Sequence, residues 1–378
     1  VGAGWACVVP LVLQLLDVSA SSGLFHQAGP AVQVVARAAV CFLLFMPATT
    51  ALGATLPFMA EHLSPRGGIA AARVSIAYAW NTAGALLGVV LATVALFLLF
   101  GVRGSSYAAA AVSALCGVVA WLLSRQPAAT ADTRVIEKAS AGKPSKVTFP
   151  AAAGPGFWLT LVALSGFGTL ALQVLYIRAF ALVFHNSTYT FGAVLAVFLA
   201  AIAVAAAFVP ALLQEYRAET LVAWASVLGA TAIVGSMLLF GWLTHLEFYS
   251  YGETFLVHMA GAFGLVAAIV LAPVGLLAVI LPISWKGFER SAGGGGRVVG
   301  LLTGANTFAA TAGSLAAAFV LMPLFGLWTS LVIVAALFFL AGAILLVRQG
   351  AKVAAAATGI LVVALAAAAV DSLNAIRT

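Results

Sequence analysis

Charge is what this sequence has least of. Of its 378 residues, 17 are Lys or Arg and 10 are Asp or Glu, so charged side chains make up only 7%. Soluble domains carry about 25%, and a chain of this length could not cover a water-facing surface with so few. Cysteine is scarce too. Cys7, Cys41 and Cys116 all fall inside apolar runs, with no CxxC pair and no Cys/His cluster, which excludes a disulfide framework and a metal site of that kind. The acids are scattered at helix ends and loops, and no Ser/His/Asp, HExxH or paired-carboxylate signature occurs, so no catalytic constellation and no cofactor site is expected. The run Gly293-Gly294-Gly295-Gly296-Arg297 lacks the Lys-Ser/Thr of a phosphate loop. It reads as a flexible spacer. The net charge of +7 comes from basic residues spread thinly over the loops without interleaved aromatics, so nucleic acid is not an expected partner. The apolar start, Val1-Gly2-Ala3-Gly4-Trp5, has no basic n-region and is not expected to be a signal peptide.

What is present is apolar. Hydrophobic residues make up 64% and the mean hydropathy is +1.17. That is too apolar for disorder. The runs are long and unbroken, unlike the ten-residue alternations of a membrane β-barrel. The composition therefore predicts an all-α polytopic membrane protein whose first partner is the lipid bilayer. Eleven spans are expected, at 1–17, 31–61, 72–101, 105–123, 157–184, 188–213, 219–243, 254–282, 298–323, 327–347 and 353–370. Pro47, Pro57, Pro273 and Pro282 are expected at kinks or ends. The expected setting is the bacterial inner (cytoplasmic) membrane.

The loops alternate in charge. Arg66 and Arg73, then the Arg125–Lys146 segment, then Arg217, then Lys286, Arg290 and Arg297, then Arg348 and Lys352 hold 13 of the 17 basic residues. The positive-inside rule makes these loops cytoplasmic. The intervening loops, including Thr244–Glu253 with its two acids and three aromatics, then lie outside, where the aromatics read as interfacial anchors. Asn186-Ser187-Thr188 matches a glycosylation sequon. Residues 124–156 are the one long polar stretch and read as a cytoplasmic linker.

A repeat runs through the chain at a constant offset of 225. Leu52–Pro57 returns as Leu277–Pro282, Asn81–Gly88 as Asn306–Gly313, and Leu99-Phe100-Gly101 as Leu324-Phe325-Gly326. Between 81 and 101, nine of 21 positions are identical, against about one in eight by chance for such a composition. The offset spans six expected helices, an even number, so both copies point the same way through the membrane. That is the parallel repeat of 6+6 major-facilitator-like transporters. The expected organisation is a first repeat over 1–123 with four helices, the linker 124–156, a second repeat of six helices over 157–347, and an extra helix and tail over 348–378. Val1 maps onto Ser226, inside an expected span, so the first repeat is expected to be two helices short and the chain to be part of a longer protein.

Leu164-Ser165-Gly166-Phe167, Gln173-Val174-Leu175-Tyr176-Ile177-Arg178, Tyr189-Thr190-Phe191 and Leu195–Leu199 form a further pattern with Gly53–Pro57 and the two Asn-Thr stretches. In these residues the chain resembles the membrane domain of fused spermidine synthase-like proteins, where a major-facilitator-like region precedes an aminopropyltransferase domain. The resemblance covers most of the chain. It implies a polyamine-related parent protein, of whose synthase chemistry this chain itself carries none. Two features depart from the family pattern: Gln173 stands where an acid is common, and Ala201–Ala206 stand where glycines are common.

The polar residues inside the spans are the site candidates. Asn81-Thr82 and Asn306-Thr307 lie about ten residues into their helices, about 15 Å deep at about 1.5 Å per residue. As a pseudo-symmetric pair they would line a central cavity. As packing groups they would supply interhelical hydrogen bonds beside Gly84/Gly88 and Ala309/Gly313, the reading the residue types favour. Gln173 and Arg178, Gln33 and Arg37, and His258, onto which Gln33 maps, are expected as a polar cluster on the outer side. Arg178, near a helix end, can instead reach the headgroups. Three functions follow: an anchoring or substrate-handling membrane domain of a spermidine synthase-like protein, a secondary transporter of a small, amine-like solute, or a structural subunit of a larger membrane complex. Membrane-protein partners or a homo-oligomer fit the last. No intramembrane Asp or Glu is available for a proton relay.

Overall fold

The computed structural model describes residues 29–64, 70–125, 154–250, 252–288 and 295–375. Among them all regular structure is helical: α1 Pro30–Leu63, α2 Ala71–Leu91, α3 Phe97–Ser124, α4 Pro155–Val183, α5 Thr188–Glu215, α6 Ala218–Thr244, α7 Phe255–Ala278, α8 Ile280–Phe288, α9 Gly295–Ala316, α10 Met322–Arg348 and α11 Lys352–Ala375. A helix satisfies every interior backbone N–H and C=O within its own segment, which is what a chain in hydrocarbon requires. Helix is therefore the only element that runs so apolar and so long can form there.

Eight stretches among the described residues are long and apolar enough to cross a membrane, where eleven spans were expected. The expected span 1–17 lies outside the described residues. The other difference has a local cause. The pairs 72–101/105–123 and 298–323/327–347 were expected as separate spans with loops between them. Each pair instead runs on without an intervening loop as one 54-residue stretch, Ala71–Ser124 and Gly295–Arg348, in which two helices meet at a kink. Short π-helical segments join the parts, Ala92–Leu96 between α2 and α3 and Ala317–Leu321 between α9 and α10. Each stretch leaves helical geometry at one glycine, Gly101 (φ 62°, ψ −175°) and Gly326 (φ 74°, ψ 175°). Four residues on, a serine hydroxyl donates to that glycine's carbonyl, Ser105 to Gly101 and Ser330 to Gly326. The two π segments, the two glycines and the two serines are each 225 residues apart.

Proline behaves unevenly. α1 continues through Pro47 and Pro57, and α7 through Pro273. Helix hydrogen bonding is interrupted at Val279, between α7 and α8, three residues before Pro282. α5 carries Pro210 in its interior.

The described residues form two compact units, 29–55 with 95–125, and 56–94 with 154–375. In the first, large apolar side chains are exposed along both helices, among them Phe42, Leu43, Leu99 and Trp121. A surface of that kind belongs against lipid or protein and not water. The second unit has a packed core. α2 lies along α5 and α9 along α4, α5 packs on α7, α6 on α7 and α10, and α11 on α6 and α10. Leu172, Leu175, Tyr176 and Phe180 of α4, Phe198 of α5, Ile233 and Met237 of α6, and Phe338 of α10 are fully buried there. The Tyr176 hydroxyl, 2.6 Å from that of Ser236, and the Ser75 hydroxyl, donating to the Ala206 carbonyl at 2.7 Å, satisfy polar groups inside this core.

The Gly293–Arg297 run does not behave wholly as a spacer. Residues 293 and 294 lie outside the described residues, whereas Gly295, Gly296 and Arg297 form the first turn of α9. The Glu61 carboxylate, at the end of α1, accepts the Gly296 backbone N–H at 2.7 Å. A carboxylate at a helix N-terminus both caps an orphan donor and meets the positive end of the helix dipole. Glu61→Ala is therefore expected to lower stability by about 1 kcal/mol, and Glu61→Gln by less, since the amide oxygen can still accept. Thermal unfolding of the purified protein in detergent measures this, and an unshifted Glu61→Ala midpoint would show that the cap is idle.

Candidate functional site

Two regions of the second unit concentrate polar or aromatic chemistry. The first is the contact of α4 with α9. Here the helices come together backbone to backbone. A Cβ on Gly166 would collide with the carbonyl of Asn306, and one on Gly313 with the backbone of Phe167. Small residues permit such an approach, so the Leu164-Ser165-Gly166-Phe167 stretch and the Asn306–Gly313 stretch are the two halves of one helix contact. Asn306 is partly buried in it and Thr307 is exposed. The Thr307 hydroxyl donates within its own helix to Thr303, and that of Thr82 likewise to Tyr78. Thr82 is buried, Asn81 exposed, and no atom of the described residues lies within 4 Å of a Cβ built on Gly84 or Gly88. The Asn-Thr stretches thus have different surroundings: one sits in a tight helix contact, the other on an open face of α2.

The second region is a pocket of about 210 Å³ where α4 ends and α5 and α7 begin. Phe184 and His185 enter it from the end of α4, and Ser187, Tyr189, Thr190 and Ala193 from the start of α5. Phe248 and Tyr249 come from the α6–α7 connection, and Phe255, His258, Met259 and Ala262 from the start of α7. Local chemistry fixes each wall. Ser187 is the N-cap of α5, its side chain accepting from the Thr190 N–H, and the Thr190 hydroxyl donates to the His185 carbonyl at 2.6 Å. Thr254 caps α7 in the same way toward Val257. The Tyr249 N–H donates to the Val183 carbonyl at 2.8 Å and ties the connection to α4. The connection begins with a left-handed turn at His245 (φ 49°) and Leu246 (φ 57°), a conformation uncommon for residues other than glycine. Such a turn persists only where the surroundings hold it. It re-aims the chain so that Phe248 and Tyr249 face the helix ends.

The rings pair at steep angles. Phe184 and Tyr249 meet at 86° with centroids 5.1 Å apart, and Tyr189 and Phe255 at 72° and 5.4 Å. His185 lies 4.6 Å from Phe248 at 60°, and His258 lies 5.9 Å from Tyr249 at 52°.

Of the expected outer cluster, His258 lines this pocket, while Gln173, half-buried, and Arg178, exposed, sit on α4 outside its lining. Gln33 is half-buried on α1, and the side chain of Arg37 lies outside the described ones. His185, Tyr189, Phe248 and Tyr249 were not among the expected site residues. Their signal was the aromatic and histidine density of 184–191 and 245–258, which interfacial anchoring also explains. Asn186 of the sequon is exposed beside the capping Ser187. Among the described residues no three His, Cys, Asp or Glu converge as metal ligands, and Cys41 and Cys116 are free and exposed. Comparison with protein families, with characterised proteins and with solved structures finds no match.

Proposed function

We propose that this integral membrane chain is a duplicated, major-facilitator-like domain that handles a small solute, of the kind that spermidine synthase-like fusion proteins carry beside a separate catalytic domain. The observation that supports this most is the backbone itself. A π segment, a glycine in a glycine-only conformation and a serine returning to that glycine's carbonyl recur together at the offset of 225 that the sequence repeat follows. Composition does not generate such a triplet twice, whereas a duplicated unit does. A 54-residue helical stretch would be about 80 Å long if straight, more than twice the hydrocarbon core of about 30 Å. Each stretch therefore crosses the membrane twice, with the reversal at Gly101 or Gly326. Read so, the described residues hold ten spans, and α11 stands outside the 6+6 scheme.

Side-specific thiol labelling in intact cells tests the reading. With Cys7, Cys41 and Cys116 replaced by serine, single cysteines at Ser64 and Ser124 are expected to react from the cytoplasmic side and one at Arg103 from the opposite side. Labelling of all three from one side would overturn the double crossing and with it the repeat.

A further inference from the structure

We infer that the pocket at the start of α5 and α7 is a binding site for a small organic ammonium ion. Ammonium groups are held in protein sites by the faces of aromatic rings set around them as walls. This pocket is lined by aromatic rings standing in different planes: Phe184 with Tyr249, Tyr189 with Phe255, and Phe248 beside His185. Its volume of about 210 Å³ suits a group of a few carbons around one nitrogen.

The connection beside it is acidic. The α6–α7 connection, Thr244–Thr254, carries Glu247 and Glu253 and neither Lys nor Arg. An anion would use the open N–H groups of the two helix starts. Here Ser187 and Thr254 already accept from the first turns of α5 and α7. The aromatic connection is also fixed in place, by the Tyr249-to-Val183 hydrogen bond and the left-handed turn at His245 and Leu246. A preset wall loses little on binding. The inference stands apart from the proposed duplication, since the pocket lies within one packed unit.

The ammonium can belong to a free solute or to a lipid headgroup, and one experiment separates them. The purified chain in phosphatidylglycerol nanodiscs is titrated calorimetrically with choline and with its neutral isostere, 3,3-dimethylbutan-1-ol. Choline is expected to bind at least about 10-fold more tightly than the isostere, and Phe248→Leu, at an exposed wall, to weaken choline about 3- to 10-fold. Repeating the titration in phosphatidylcholine nanodiscs assigns the source: unchanged choline binding marks a free solute, and abolished binding marks the headgroup. Equal affinity for choline and the isostere, or no choline binding in phosphatidylglycerol at about 10 mM, far weaker than a desolvated cation–π site allows, overturns the inference. The wild-type comparison needs no variant to fold. Thiol labelling reads out the duplication independently, so either conclusion can fail alone.

Discussion

Gly313→Leu is expected to cost the protein about 3 kcal/mol, the upper end of what overpacking does to a well-packed contact, and to abolish its monodisperse peak in size-exclusion chromatography. A Cβ at this position already runs into the backbone of Phe167, and one at Gly166 into the carbonyl of Asn306. A flexible side chain can move aside for an added methyl group. A backbone carbonyl held in a helix cannot, so α4 and α9 must separate, and the buried surface of Leu172, Leu302 and their neighbours is disturbed with them. Gly166→Leu is expected to behave alike. The informative control is Gly88→Leu, the position that corresponds to Gly313 in the repeat. No atom of the described residues lies within 4 Å of a Cβ there, so leucine is expected to change stability by no more than about 0.5 kcal/mol. Gly88→Leu as damaging as Gly313→Leu would show that the α2 face is also packed. Gly313→Leu without effect would remove the close approach itself.

That contrast marks how far the sequence could be read. Both Asn-Thr stretches are legible as deep polar positions beside small residues, because identity and spacing are enough to say so. Which of the two sits in a backbone-to-backbone helix contact is not, because that depends on Gly166 and Phe167, more than 130 residues from Asn306. The breaks near 101 and 326 were legible as span boundaries from hydropathy. That one residue suffices at each break was not, since a single glycine with positive φ does the work expected of a loop. The aromatic pocket escaped for a third reason. Phe248 and Tyr249 read as membrane-interface residues, and only the fold brings the ends of three helices and one connection together. Glu61 escaped likewise. Its role depends on the first turn of α9, where glycines had suggested a spacer.

Alanine at Gly326 or Gly101 is expected to destabilise the protein by about 1–3 kcal/mol, although the described residues leave room for a methyl group at both. No atom of the described residues lies within 4 Å of a Cβ built at either position, so crowding among them plays no part. The cost lies in the backbone. At φ 74°, ψ 175° and φ 62°, ψ −175° both residues occupy a region that is essentially restricted to glycine, and holding another residue there costs of order 1–3 kcal/mol. Valine, branched at Cβ, is expected at the top of that range. Gly117, on α3, separates this cause from the ordinary effect of glycine in a helix. No atom of the described residues lies within 4 Å of a Cβ built there either, but it lies in regular helix without positive φ. There alanine removes glycine's helix penalty and is expected to be neutral or stabilising by up to about 1 kcal/mol. If the reversals are local, the Gly101→Ala and Gly326→Ala losses add in the double variant, as distant independent sites do. Thermal unfolding of the three single variants and the double variant gives all four values. Should alanine at 101 and 326 behave as it does at 117, the two positions would not hold the conformation assigned to them. The proposed double crossing of each 54-residue stretch would then lose its point of reversal.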